Sequence, residues 1–181
     1  RLAYSTISQV SYVTMGIAMF SEAATAGGLV HLVHQGLMKI TLFFCAGAIY
    51  VTAGKQNVSE LDGIGRRMPV TMGAFAVGAL SLMGIPPCIG FVSKWYIVQG
   101  AFAAELLLPA AVLLASTLLN AAYFMPIVYA AFFRRAPAGE PAHGEAPWPS
   151  VLALAASAAG TVALFFMPGV PLALARAVAG S

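Results

Sequence analysis

Polar side chains are sparse along this chain and gather between long apolar runs at 2–20, 28–51, 70–85, 106–133 and 151–167. A run of about 20 predominantly apolar residues suffices to cross a bilayer as an α-helix. Membrane strands would instead show short segments in which apolar and polar residues alternate. These runs are continuous and rich in Ala, Leu, Gly and Met. The pattern predicts an all-α, polytopic transmembrane bundle of about five spans.

Composition agrees with that pattern. Of the 181 residues, 60% are hydrophobic and 8% charged, against about 25% charged in an ordinary soluble domain; mean hydropathy is +0.88. In such a protein the placement of basic residues matters more than the net charge of +3, and nucleic acid is not an expected partner. If the spans alternate, Arg1, Lys55, Arg66, Arg67, Arg134 and Arg135 share one face, and the positive-inside rule makes that face cytoplasmic. Glu22, Glu105 and Arg176 fall on the other. The first span starts at once after Arg1, with no signal segment, so a fragment of a longer polytopic protein is expected.

Residues 136–148, APAGEPAHGEAPW, cannot hold a helix or bury a core. They are expected to form a polar linker between a transmembrane segment, 1–135, and a C-terminal helix and tail, 149–181. His143 in it reads as a solvated loop histidine. Cys45 and Cys88 lie inside apolar runs and read as small buried hydrophobes.

Two proline sites interrupt the helical pattern. In GIPPCIGFVSKWY, residues 84–96, Pro86 and Pro87 remove two backbone donors and glycines weaken the helix on both sides. The helix should end or break there. Broken backbone at membrane depth can mark a site, because only protein or a watery cavity can satisfy the freed carbonyls; an ordinary loop at the membrane surface is the reading that the spacing alone favours. Lys94, followed by Trp95 and Tyr96, is either an interface anchor or part of a path. In STLLNAAYFMPIVYAAFF, residues 116–133, Pro126 predicts a second break. Asn120 and Tyr123 beside it can hydrate a path but cannot store a proton.

The candidate chemistry lies in HLVHQGLMKI, residues 31–40. At about 100° per residue, His31, Gln35 and Lys39 form one stripe that rises roughly 12 Å, with His34 on its flank. A charged lysine in hydrocarbon costs at least about 2.5–3.5 kcal/mol. Lys39 therefore needs a partner or water, and is a functional candidate able to load and release a proton. Histidine titrates near neutrality, so His31 and His34 could pass protons to it through water. The alternative is that Lys39 snorkels and the histidines bond neighbouring helices. His31 and His34 have no nearby carboxylate, which argues against a metal site. No phosphate loop or cysteine cluster points to a cofactor.

The stretches RLAYSTISQVSY, HLVHQGLMKITLFFCAGAI, LDGIGRRMP and GIPPCIGFVSKWY occur in that order. They resemble the second half of the antiporter-like membrane subunits shared by Mrp-type monovalent cation/proton antiporters and respiratory complex I. SKWYIVQGAF and LLNAAYFMPIVYAAFFRR resemble the antiporter's D-type subunit and its relatives beside membrane-bound hydrogenases. The resemblance implies two inverted five-helix repeats, broken helices, and a row of buried lysines, histidines and glutamates. This chain would supply the second repeat, in a complex of several membrane subunits of the bacterial plasma membrane.

Under that resemblance Lys39 matches the family's lysine in this helix and His31 its first histidine. The second histidine position falls on Gln35, with His34 displaced by one. The family's later broken helix often carries a lysine or glutamate; around Asn120 there is none. The resemblance implies a proton-conducting subunit with no catalytic chemistry of its own, moving protons and sodium or potassium together with its partners. The rivals are a membrane-arm subunit of an NADH:quinone oxidoreductase or hydrogenase, and a subunit that only packs its partners.

Overall fold

The computed structural model describes residues 1–137 and 143–180. Among these are seven α-helices: α1, Leu2–Ala18; α2, Glu22–Ala53; α3, Pro69–Met83; α4, Ile89–Ala103; α5, Leu107–Phe133; α6, Trp148–Phe166; and α7, Gly169–Ala179. No strand occurs among the described residues, as the continuous apolar runs require. The two cysteines are buried and unbridged.

The centre of the bundle is α2. It is 32 residues long, about 48 Å at 1.5 Å per residue. It ends at Gly54, whose φ of 66° is the left-handed turn that glycine adopts without steric cost. Helices α1, α3, α4, α6 and α7 all pack on it. Lipid offers no hydrophobic force to hold helices together, so close packing of small residues matters more. A methyl group on Gly16 of α1 would stand 3.1 Å from Gly28 Cα, and one on Gly100 of α4 would collide with the backbone of Ala24.

Helices α3 and α4 lie one after the other along α2. Gly78 of α3 faces Leu42 and Met38, Gly90 of α4 faces Met38, and Ile97 faces Gly27. Each has 15 residues, about 22 Å, too short for the roughly 30 Å hydrocarbon core. Together they make one interrupted crossing. On another side of α2, α6 reaches Leu37 through Gly160, and α7 lays Leu172, Ala175 and Ala179 near Ala26 and Val30. The order of crossings is thus α1, α2, α3 with α4, α5, and α6 with α7.

Pairing α3 with α4 and α6 with α7 gives five groups of helices, as many as the spans expected, but with other boundaries. The run 70–85 is only the first half of its crossing; α4 is hidden in the hydropathy because Lys94, Trp95 and Tyr96 interrupt it. Helix α2 starts at Glu22 rather than at residue 28, and α7 forms where a tail is expected. Judged by length and apolarity, α2, α5 and α6 are the helices able to cross alone. The break expected at Pro126 is absent: α5 runs unbroken through it. The expected linker 136–148 partly lies outside the described residues. What is described of it carries Glu145, whose Oε2 accepts from the Val70 amide at 2.8 Å and so caps α3. Across the same end, the amide of Gly63 in the loop after α2 donates to the Ala130 carbonyl of α5 at 3.0 Å. In that loop, the Asn57 and Gln56 amides bound to Glu60 hold its carboxyl below the usual carboxylate range.

Candidate functional site

The site is built around the interruption between α3 and α4. Gly84, at φ 74°, turns the chain out of α3, and the last carbonyls are taken up by Ile85 N–H to Leu80 O at 3.0 Å and Gly84 N–H to Ser81 O at 2.9 Å. This is the Schellman arrangement. Pro86 and Pro87, joined by a cis peptide, then carry the chain to Ile89. A helix end leaves four carbonyls, and a helix start four amides, without intrahelical partners. Here the two halves serve one another. The Ser81 hydroxyl of α3 accepts from the Gly90 amide of α4 at 3.1 Å, and the Lys94 ammonium of α4 donates to the Leu82 carbonyl of α3 at 2.7 Å.

Lys94 therefore turns into the bundle and does not reach out of it; it is 5% exposed. Its Nζ also donates to Thr117 Oγ1 of α5 at 3.2 Å and lies 5.2 Å from the centre of the Tyr12 ring, within cation–π range. A Cβ on Gly84 would come within 2.9 Å of Lys94 Cδ, so the glycine also makes room for the lysine stem. Around this group, Asn120 Nδ2 donates to the Tyr12 hydroxyl at 3.1 Å, and that hydroxyl shares a hydrogen bond with Ser116 Oγ at 2.6 Å. Asn120 thus joins the polar cluster as α5 passes. Tyr123 does not: its ring and carbonyl meet Arg1.

The four polar residues of the α2 stretch, His31, His34, Gln35 and Lys39, are all buried. The stripe faces α1. Lys39 Nζ donates to the Ser5 hydroxyl and to the Leu2 carbonyl at 3.3 Å. His31 Nε2 is 3.1 Å from Gln9 Oε1, and its Nδ1 is 2.8 Å from Ser93 Oγ of α4. Ser5 and Gln9 are one helical turn apart, about 6 Å, and so bridge two stations that are eight residues apart on α2. His34 points elsewhere. The Ile89 carbonyl acts on its ring, yet neither ring nitrogen meets a partner in hydrogen-bond geometry.

Three helices thus converge. Lys39 and His31 come from α2, Ser5, Gln9 and Tyr12 from α1, and Ser93 and Lys94 from α4. Lys94 and His31 are close enough to act on one another electrostatically. The contribution of α1 escapes a sequence reading: Ser5, Gln9 and Tyr12 follow a helical i, i+4, i+7 spacing, a signal that small polar residues in an apolar run disguise. The expectation that the interrupted helix lacks a titratable group depends on a break at Pro126. At the true break the titratable group is Lys94. An open cleft of about 920 Å³ lies where the start of α1 meets the end of α2 and the loop after it, lined by Arg1, Leu2, Tyr50, Lys55, Phe75 and Phe124; Lys39 is not in its lining.

A bundle of long apolar helices with one interrupted crossing, and with lysines buried at the interruption and on the neighbouring helix, defines a polytopic membrane protein that keeps titratable groups inside its bundle. The chain belongs to the NADH:quinone oxidoreductase/Mrp antiporter transmembrane family, whose profile matches residues 1–120. It is 43% identical over 136 residues to NADH-quinone oxidoreductase subunit N of Desulforudis audaxviator, covering 75% of this chain and 27% of that protein. It is 36% identical over 144 residues to the D-type subunit of the Na(+)/H(+) antiporter of Alkalihalophilus pseudofirmus, covering 80% and 28%. Among solved structures it resembles a chain of the Mrp complex from a Dietzia species, with a TM-score of 0.88 and 24% identity over 98% of this chain and 41% of that one. It also resembles a chain of an archaeal membrane-bound sulfane sulfur reductase, with a TM-score of 0.82 and 29% identity over 90% and 27%. The chain spans a little over a quarter of the length of these two curated relatives. It is a membrane-embedded subunit, and its bacterial relatives point to the plasma membrane.

Proposed function

We propose that this chain is a proton-conducting part of a membrane subunit in a multi-subunit monovalent cation/proton antiporter. The observation that carries the reading is the convergence of Lys39 and His31 of α2 with Lys94 of α4, joined by polar side chains of α1, next to backbone that ends inside the bundle. Residues 1–135 supply the conducting segment and 149–181 pack beside it. Protons pass among Lys39, His31 and Lys94 through water held by Ser5, Gln9, Ser93, Thr117 and Asn120. Gln35 keeps the stripe polar without storing a proton, and His34, buried beside the break, is a side station. Other membrane subunits, with sodium or potassium and the lipid bilayer, are the partners this reading requires.

The 43% identity to an oxidoreductase subunit N favours a second reading, in which the same path is driven by redox subunits. Copurification with iron–sulfur subunits would select it. Lys39→Ala in the complete complex tests both readings against a purely packing role: proton flux falls if the path conducts, and unchanged flux with assembly intact would sink conduction.

A further inference from the structure

Both ring nitrogens of His31 have a hydrogen-bond partner, and the two partners come from different helices. Its ring is 0% exposed and lies between Gln9 Oε1 at 3.1 Å and Ser93 Oγ at 2.8 Å. We propose that Gln9 and Ser93 are positioning residues that keep both ring nitrogens of His31 hydrogen-bonded whether or not it carries the extra proton. The inference rests on the conduction reading and gives it a mechanism at one station.

Neutral imidazole has one donor and one acceptor, and imidazolium has two donors. With the Gln9 carbonyl accepting from Nε2–H, the neutral ring takes the Ser93 hydroxyl hydrogen on Nδ1. When a proton arrives at Nδ1, the Ser93 oxygen must accept instead. Its own hydrogen then has a place to go, the Gly90 carbonyl 3.4 Å away. The other neutral tautomer is met by the Gln9 amide, whose Nε2 is buried without a partner; turned over, it donates to the bare Nε2 of the ring. One hydroxyl rotation and one amide flip thus satisfy all three proton states without moving the backbone. A group able to offer only one role would leave a buried nitrogen unpaired in at least one state, at full desolvation cost.

The surroundings leave this task to neutral groups. The titratable and charged side chains facing His31 are His34 on its own helix, Lys94 on α4 and Tyr12 on α1, whose ring meets it edge-on with centroids 5.5 Å apart. No aspartate or glutamate is buried among the described residues. The positive charge on His31 is therefore met by the dipoles of Gln9 and Ser93.

The test uses the complete complex reconstituted in vesicles, with proton flux measured across a range of pH. Gln9→Glu and Gln9→Leu should move the pH profile of flux in opposite directions, because a carboxylate stabilises imidazolium and a leucine offers it nothing. Ser93→Ala should lower flux about tenfold or more, the scale of losing a partner that orients a functional histidine, and Ser93→Thr should recover most of it. Equal losses in both Gln9 variants with an unmoved profile would mean packing alone and would overturn the proposal, as would full activity in Ser93→Ala. Lys39→Ala, run in parallel, reports on conduction separately. If it leaves flux unchanged, the clamp is judged on the ring-nitrogen NMR shifts of His31: these must differ in opposite senses between the two Gln9 variants, and identical shifts overturn it.

Discussion

Proline enters this bundle's helical core at two places, 86–87 and 126, and only the first interrupts a helix. At the first, adjacent prolines remove two successive amides and push Ile85 away from helical backbone, while Gly84 supplies the left-handed turn that ends α3. At the second, Pro126 is the one interior proline of a 27-residue helix that contains no glycine; Pro109 sits in its first turn, where the missing amide has no intrahelical partner to lose. A proline alone removes one bond, which a packed membrane helix tolerates. Interruption needs an exit for the chain as well, and it needs partners for the ends it creates. Ser81 and Lys94 are those partners, and α5 has no counterpart to them.

The greatest loss should follow removal of the partner that is also ionisable. Lys94→Ala leaves the Leu82 carbonyl without its 2.7 Å donor and removes a proton-carrying group, so flux should fall by roughly a hundredfold or more. Lys94→Arg separates the two roles. It keeps a cation at the carbonyl but cannot release a proton, so flux should be lost while the thermal midpoint of the complex is largely kept. If Lys94→Arg conducts normally, Lys94 is only a cap for α3.

Gly84→Ala strikes at the exit. A left-handed φ costs an alanine about 1–2 kcal/mol, and its Cβ would meet the Lys94 stem at 2.9 Å. Both stability and flux should drop, and flux should drop further than in a variant of equal stability elsewhere. A variant that melts earlier yet conducts fully would separate the turn from the lysine.

How much of this the sequence makes legible follows from the range over which each signal acts. The α2 stripe is legible because helical period and spacing place His31, Gln35 and Lys39 together within one element. The interruption at 84–88 is legible from its glycines and prolines, though not its depth. Lys94 is ambiguous because Trp95 and Tyr96 beside it mimic an interface; consecutive helical residues point about 100° apart, so Trp95 is 50% exposed while Lys94 is buried. The Tyr12 to Asn120 bond joins residues 108 apart in sequence, and no local pattern announces it. Pro126 misleads because a proline by itself does not suffice for a break.

Smaller effects are expected at the caps. Ser81→Ala leaves the buried Gly90 amide without its 3.1 Å acceptor and should cost about 1–3 kcal/mol, the desolvation range for such a group. Glu145→Ala removes the carboxylate that caps α3 from across the bundle, and should cost about 1 kcal/mol. Glu145→Gln should cost less, since an amide oxygen still accepts but the charge facing the helix dipole is gone. These are read from the thermal midpoint of the purified complex. A Ser81→Ala complex as stable as the parent would show that the two halves do not depend on mutual capping.

The least change is expected at the other proline. Pro126→Ala restores an amide one turn after the Ala122 carbonyl, where helical geometry places its acceptor, and removes the ring that crowds that carbonyl. Among the described residues no titratable side chain bonds to either position: Lys94 reaches α5 through Thr117, and Asn120 reaches Tyr12, both on the N-terminal side of Ala122. Flux should be unchanged and the thermal midpoint equal to or above that of the parent. The informative control is Asn120→Leu in the same helix, which takes the donor from the Tyr12 hydroxyl and should lower flux while leaving α5 helical. If Pro126→Ala instead abolished flux with assembly intact, proline would be acting without a break in the helix. The contrast between the two sites would then lie in what the ring does to its neighbours rather than in whether the chain is interrupted.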